Sequence, residues 1–233
     1  MNASKQKKWC RRKRLLRRAL LRLRFRLIDE RRLHRPVLER IGSQTILVLP
    51  GVFPPGLFYS GAFLARHLNA ARIPKGSTVL DLGTGSGVAS VFAARWARSV
   101  IAADINPDAL RCARINALLN QVEDRVEVIR SNLFERLNGR NFDVVLFNPP
   151  FLKGEPTSSF ERAFRSGDVA PRFARTLGRH LRPKGRCLLV LSTRGSGAEF
   201  LSALKSNGFQ CQLSDEESHF QERFLLYTLS ASQ

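Results

Sequence analysis

From residue 45 onward, short and almost wholly apolar runs alternate with stretches of helical spacing. TILVL (45–49) has the length and composition of a strand, and Pro50, Gly51, Pro54, Pro55 and Gly56 then interrupt any helix. A short helix over 59–69 leads to STVLDL (77–82) and SVIAAD (99–104), two runs of buried-strand length separated by GVASVFAARWA (87–97), whose apolar residues recur at helical spacing. The alternation continues as helix 107–119, strand 126–130, strand 142–147, helix 168–182, strand 186–192, helix 197–207 and two strands near 209–214 and 221–229. Such an order predicts an α/β fold. Its sheet should be doubly wound and mostly parallel, with helices on both faces and a ligand crevice at the carboxyl ends of the strands. The polar SDEESHFQ (214–221) reads as the connection of an antiparallel C-terminal hairpin.

The first 44 residues do not share this pattern. In RRKRLLRRALLRLRFRLI (11–28), Leu16, Leu20, Leu23 and Leu27 fall on one helical face and Arg14, Arg18 and Arg22 on another. That spacing predicts a basic amphipathic helix roughly 27 Å long. The chain therefore divides into a basic arm, 1–44, and one α/β domain, 45–233.

Charge sharpens the division. Lys and Arg total 39 against 19 Asp and Glu, a formal net charge of +20. Residues 1–40 hold sixteen of the basic residues and three acidic ones, Asp29, Glu30 and Glu39. An excess of this size favours polyanionic partners, RNA or ribosomes above all. Three readings of the arm stay open. Its Leu stripe can dock on the domain while Arg faces solvent or RNA phosphate, it can lie on an anionic membrane surface, or it can serve as a transit peptide. No apolar run approaches the roughly 20 residues that span a bilayer. Cys10, Cys112, Cys187 and Cys211 form no C-x-x-C pair, which argues against a zinc site and a disulfide scaffold and points to a reducing, cytoplasmic setting.

Candidate chemistry begins after the second apolar run, where Asp81-Leu82-Gly83-Thr84-Gly85-Ser86-Gly87 opens directly into a helix. Alternating glycines let the backbone turn sharply and approach a ligand, while the first N–H groups of the helix lack partners. Asp104 closes the next strand, 21 residues after Gly83, where a carboxylate can accept both hydroxyls of a ribose. A dinucleotide fingerprint needs Gly or Ala at position 88, and Val88 stands there. The G-x-G-x-G loop with its two acids resembles instead the class I S-adenosylmethionine (SAM) methyltransferases, whose sheet is Rossmann-like. The resemblance implies that Asp81 and the Gly83, Thr84, Gly85 and Gly87 backbone face the methionine portion of SAM. It also implies that Asp104, with Ile105 beside it, holds the ribose, and that Asn132 and Leu133 lie at the adenine. The family often has Asp where Asn132 stands, but an amide oxygen accepts the adenine N–H as well.

The third motif specifies the reaction. FDVVLFNPPF (142–151) is a buried strand ending in Asn148-Pro149-Pro150-Phe151. The prolines stiffen the main chain and supply no N–H, so this turn presents acceptors. Methyl transfer to a planar amino group needs its N–H bonds gripped so that the nitrogen lone pair turns toward the methyl donor. The Asn148 side-chain oxygen and the Pro149 carbonyl can grip them, and Phe151 offers a stacking face. The four histidines (His34, His67, His180, His219) show no cluster suited to a metal or to oxygen methylation.

This N-P-P-F resembles the amino-methylating, small-domain branch of the SAM enzymes, over about residues 45–229. Two subfamilies divide the likeness. LPGVF (49–53), Ser131-Asn132-Leu133-Phe134 and NPPF resemble the enzymes that methylate guanine N2 in ribosomal RNA, although Leu152 stands where they usually have His. FNPPFL-x-GEP (147–156) resembles the glutamine methyltransferases of release factors, which normally have NPPY and an acidic segment where this chain has PPGLFYSGAF (54–63). The charge favours RNA, with a glutamine amide of a release factor or ribosomal protein as the alternative. A non-catalytic SAM-fold assembly factor is the alternative of another class.

Overall fold

The computed structural model describes residues 35–150, 167–220 and 222–231. The predicted helix over 11–28, Phe151 and most of the loop that follows it lie outside these residues. The chain begins with a hairpin, β1 (Val37–Ile41) and β2 (Gln44–Val48), paired antiparallel and separate from the main sheet. Two short helices follow, α1 (Pro55–Phe58) and α2 (Ser60–His67), in place of the single helix expected over 59–69. Tyr59 separates them with φ 61° and ψ −40°, which breaks the helical run.

The main domain runs β3 (Thr78–Leu82), α3 (Val88–Ala93), β4 (Ser99–Asp104), α4 (Pro107–Leu119), β5 (Val126–Arg130), β6 (Phe142–Phe147), α5 (Val169–Leu177), β7 (Leu181–Ser192), α6 (Gly197–Ser206), β8 (Phe209–His219) and β9 (Glu222–Ala231). Its seven strands lie in the order β5-β4-β3-β6-β7-β9-β8. The first five are mutually parallel, and β9 enters antiparallel between β7 and β8. The fold is thus the doubly wound α/β sheet with an antiparallel C-terminal hairpin that the sequence predicts.

Successive strand residues face opposite sides of the sheet, so each central strand feeds two cores. Val79, Val100, Val144 and Leu188 pack with α2, α3 and α4 on one face, around Phe63, Leu64 and Val91. Leu80, Ile101, Val145 and Leu189 pack with α5 and α6 on the other, around Phe173, Leu177 and Phe200. Burial on both faces explains why these strands read as continuous apolar runs. Each fully buried Phe or Leu contributes about 1.5–3 kcal/mol.

Three differences from the sequence pattern have physical causes. The helix expected to reach residue 182 ends at Leu177, and a 3-10 turn over Gly178–His180 delivers the chain to β7 five residues earlier than expected. Pro183 and Gly185 do not prevent this, because the β6–β7 register shifts between Phe142 and Val144 and absorbs them in an irregularity. Residues 214–219 are strand rather than connection, since β8 continues to His219, which pairs with Glu222. Its polarity reflects its position at the sheet edge. Among the described residues no helix is long and apolar enough to cross a membrane.

Candidate active site

The strand order reverses direction at β3, whose neighbours are β4 and β6. Loops leaving the carboxyl ends of these three strands converge on one crevice, as at the switch point of any doubly wound sheet. In register, Leu82 pairs with both Ala103 and Phe147, so the glycine loop, Asp104 and Asn148 sit side by side at the same edge.

The glycine loop leaves open space over its backbone. Gly83, Gly85 and Gly87 all have positive φ, at 65°, 54° and 79°. A Cβ on Gly85 would meet nothing within 4 Å, and one on Gly83 only the Phe147 ring at 3.8 Å. Gly87 serves the scaffold instead, because its Cβ would lie 2.8 Å from the Ala113 Cα of α4. Beneath the loop, Asp81 is buried, and one carboxylate oxygen accepts the hydroxyls of Thr84 (2.7 Å) and Ser90 (2.6 Å). Burial pushes its pKa up against these hydrogen bonds. Asp81 and Thr84 therefore shape the loop from below.

Asp104 closes β4 with both oxygens accepting backbone N–H groups, to which the Ile105 N–H also contributes. Oδ2 accepts the Gly85 N–H and Oδ1 the Asn106 N–H, each at 2.9 Å. Two carboxylate oxygens carry four lone pairs between them, so Asp104 keeps acceptor capacity for a hydroxyl of a ribose. Burial raises the Asp104 pKa, and the backbone N–H groups oppose that. Ile105 is 38% exposed next to it. After β5, Leu133 takes φ 51°, held by a hydrogen bond from the Ser131 hydroxyl to its carbonyl (2.7 Å). The Asn132 Nδ2 donates to Glu135 (2.8 Å), so its oxygen is the end of the amide not used in that contact.

At the end of β6, Asn148 donates from Nδ2 to the Ser60 hydroxyl at 3.0 Å. Its Oδ1 is buried and has no partner, a condition that only Ser77 Oγ shares among the described side chains. Native structures rarely leave such an atom unpaired unless a ligand or water completes it. Pro149 is buried and Pro150 half-buried behind it.

Three residues that sequence reasoning did not single out hold this crevice together. Asn116, fully buried on α4, accepts from the Leu47 N–H (2.7 Å) and donates to the carbonyls of Leu47 (2.6 Å) and Ser86 (2.8 Å). It thereby ties the N-terminal hairpin to the glycine loop. Asn106 caps α4 by accepting from the Asp108 N–H and donates to the Gly51 carbonyl. The Asn106-Pro107-Asp108 sequence is a readable helix-start signal, but no local motif marks Asn116 or Ser60. Among the described residues no group of three or more His, Cys, Asp or Glu side chains is placed to hold a metal ion.

Residues 43–221 match the family model of the methyltransferase small domain. One relative, provisionally named protein N5-glutamine methyltransferase, comes from Methanocaldococcus jannaschii. It is 35% identical over 152 residues, which cover 60% of this chain and 74% of that protein. The ribosomal RNA small subunit methyltransferase C of Yersinia pseudotuberculosis is 36% identical over 125 residues, 51% of this chain and 33% of that enzyme. Among solved structures, a Thermus thermophilus 16S rRNA N2 guanine methyltransferase in complex with SAM and guanosine superposes with a TM-score of 0.62. The superposition covers 85% of this chain and 50% of that one at 23% identity, which establishes a shared fold. This chain thus spans most of the archaeal relative but only a third to a half of the other two.

Proposed function

The chain belongs to the methyltransferase small domain family, and from that membership we propose that it methylates a planar amino group, an exocyclic base amine of RNA, with SAM as donor. The observation that carries the reading is the buried, unpartnered Asn148 oxygen beside the glycine loop. The residues present fit the cofactor. An open glycine loop approaches it, Asp104 keeps acceptor capacity for a ribose hydroxyl, and Asn132 with Leu133 stands one strand further for its base. When bound, SAM supplies an electrophilic methyl group on a sulfonium.

The chain's own part is orientation and exclusion of water. Asn148 Oδ1 accepts one N–H of the incoming amine and the Pro149 carbonyl the other. Gripping both hydrogens turns the nitrogen lone pair out of conjugation and toward the methyl donor. No strong base is needed before transfer, because the methylated nitrogen is acidic and releases its proton to water. A net charge of +20 supports RNA as the polymer, through contacts with phosphate, and a cytoplasmic setting follows from that partner.

The archaeal relative favours a second reading, a glutamine side-chain amide of a protein, since Asn148 would grip an amide N–H in the same way. Incubation with methyl-tritiated SAM and, separately, bulk ribosomal RNA and a cytosolic protein fraction tests both. Label in RNA is expected. Label in protein alone would transfer the assignment to glutamine, and SAM retained on a filter with no transfer to either pool would leave a binding factor.

A further inference from the structure

Asn148 approaches the acceptor from one strand, but what holds its amide comes from a helix 88 residues earlier. Ser60, the first residue of α2, is 6% exposed, and its hydroxyl accepts the only hydrogen bond made by the Asn148 side chain among the described residues. A primary amide on a single Cβ–Cγ bond otherwise rotates freely, and half of its orientations would offer the acceptor amine a donor instead of an oxygen.

Ser60 is itself held in an unusual way. Tyr59, immediately before it, adopts φ 61°, a conformation that costs a non-glycine residue energy and persists only where the surroundings enforce it. Here they do. The Tyr59 ring lies flat on His219 of β8, with centroids 4.0 Å apart and planes at 6°, and Arg66 stands over the ring at 4.7 Å. The phenol donates to Glu217, which also receives Arg66. Because β8 runs parallel to β7, His219 ends at the same sheet edge as Asn148. The C-terminal hairpin therefore grips the one residue whose backbone sets where Ser60 points.

We propose that Ser60 is a positioning residue for methyl transfer, holding the Asn148 amide with its oxygen toward the acceptor, and that the Tyr59–Glu217–His219 clamp holds Ser60 in place. This rests on the gripping role given above to Asn148. Strain at Tyr59 is thereby spent on fixing a catalytic side chain that its own strand leaves free. The hairpin beyond β7, far from the cofactor loop in sequence, becomes part of the acceptor side of the site.

The test uses the full chain, methyl-tritiated SAM and whichever of the ribosomal RNA or protein fractions takes label. Ser60→Ala should lower kcat about tenfold or more, with SAM affinity by calorimetry unchanged, and Ser60→Thr, which keeps the hydroxyl, should recover most of the rate. Tyr59→Phe should fall in the same direction, and the Ser60→Ala/Tyr59→Phe pair should be no slower than Ser60→Ala alone, because the two act through one contact. In 15N-labelled protein, hydrogen exchange of the Asn148 side-chain amide, identified by its loss in Asn148→Ala, should quicken in Ser60→Ala. Full rate in Ser60→Ala with a crippled Asn148→Ala overturns the positioning role and leaves the gripping role standing. Full rate in both overturns the gripping role itself. Equal losses in Ser60→Ala and Ser60→Thr, with unchanged amide exchange, would reduce Ser60 to packing. If Ser60→Ala does not fold, Ser60→Thr and Tyr59→Phe decide the matter by the same readings.

Discussion

Gly85 and Gly87 are two residues apart in one loop, both with positive φ, yet the same substitution should have opposite consequences at the two positions. An alanine in the left-handed region costs about 1–2 kcal/mol, and the smaller entropy of the unfolded chain returns about 0.4–1 kcal/mol. For Gly85→Ala nothing else is added, because the new methyl meets no atom within 4 Å. A stability loss of about 1 kcal/mol or less is expected. For Gly87→Ala the methyl would stand 2.8 Å from the Ala113 Cα and 3.0 Å from its Cβ, and the first of these is backbone of α4. Forcing two packed helices apart adds about 1–3 kcal/mol, for a total of about 2–4 kcal/mol. In a domain of this size that is a fall of on the order of 10 °C in Tm. SAM binding should show the reverse order. The Gly85 methyl projects into the open space of the crevice and should weaken calorimetric affinity tenfold or more, whereas a Gly87→Ala protein held below its melting range should bind nearly normally. Urea denaturation with an unchanged m-value measures the first effect. Equal stability losses in the two variants would show that the loop relaxes away from α4, and the account of Gly87 as a packing glycine would be wrong.

Three further outcomes follow from the same geometry. Asp104→Ala should chiefly weaken SAM binding, by about tenfold or more, equivalent to about 1.4 kcal/mol, and calorimetry giving unaltered affinity would remove the ribose assignment. Glu217 is pushed up by partial burial, but the Tyr59 hydroxyl, Arg66 and His67 together hold its carboxyl below the ordinary 4.5. A depressed folded pKa means that its stabilisation is present above about pH 4.5 and lost as pH falls through the lower folded value. The stability gap between the native protein and Glu217→Gln should therefore be full at pH 7 and shrink toward pH 3, and a gap independent of pH would contradict the pairing. Deleting residues 1–28 should lower RNA affinity and flatten its dependence on salt, by a slope of about 0.7–0.9 for each phosphate that the arm neutralises. An unchanged slope would direct the arm to another partner.

How much of this was readable in the chain depends on where each contact closes. β4 and β6 begin and end where the apolar runs do, because strands buried on both faces carry their signal in nearly every residue, and α4 starts at its readable Asn106-Pro107-Asp108 signal. That Asp81, the glycines and Asp104 meet at one sheet edge was equally legible, since they fall within two adjacent strand-loop units. β1 was not, for VLERI (37–41) mixes charge into a strand that is only partly covered and adjoins the basic arm. The outer half of β8 was missed for a related reason. Its acids look like a solvated turn in isolation, and their partners Tyr59, Arg66 and Arg72 lie about 150 residues away. Asn116 and Ser60 belong to the same class, ordinary residues locally whose importance arises entirely from tertiary contact.

The distribution of backbone strain separates the two ends of the sheet on independent grounds. Among the described residues, five that are not glycine have positive φ: Tyr59, Gln121, Leu133, Lys184 and Phe220. Gln121 and Lys184 lie at the amino-terminal edge, where helix α4 and the start of β7 make ordinary turns. Tyr59, Leu133 and Phe220 lie at the carboxyl edge, beside Ser60, in the loop after β5 and at the tip of the terminal hairpin. Each is secured by a contact from elsewhere, namely the His219 stack for Tyr59, the Ser131 hydroxyl for Leu133, and a hydrogen bond from Arg194 to the carbonyl of Phe220. A fold that needed these turns only to reverse direction could place glycine in them, as it does at Gly42, Gly76, Gly139 and Gly208. At Leu133 and Phe220 the securing contact is to a main-chain carbonyl that glycine would also present, whereas at Tyr59 it is to the ring, and keeping that side chain at a cost of about 1–3 kcal/mol makes sense if it is needed for what it touches, the clamp on Ser60 and through it the Asn148 amide.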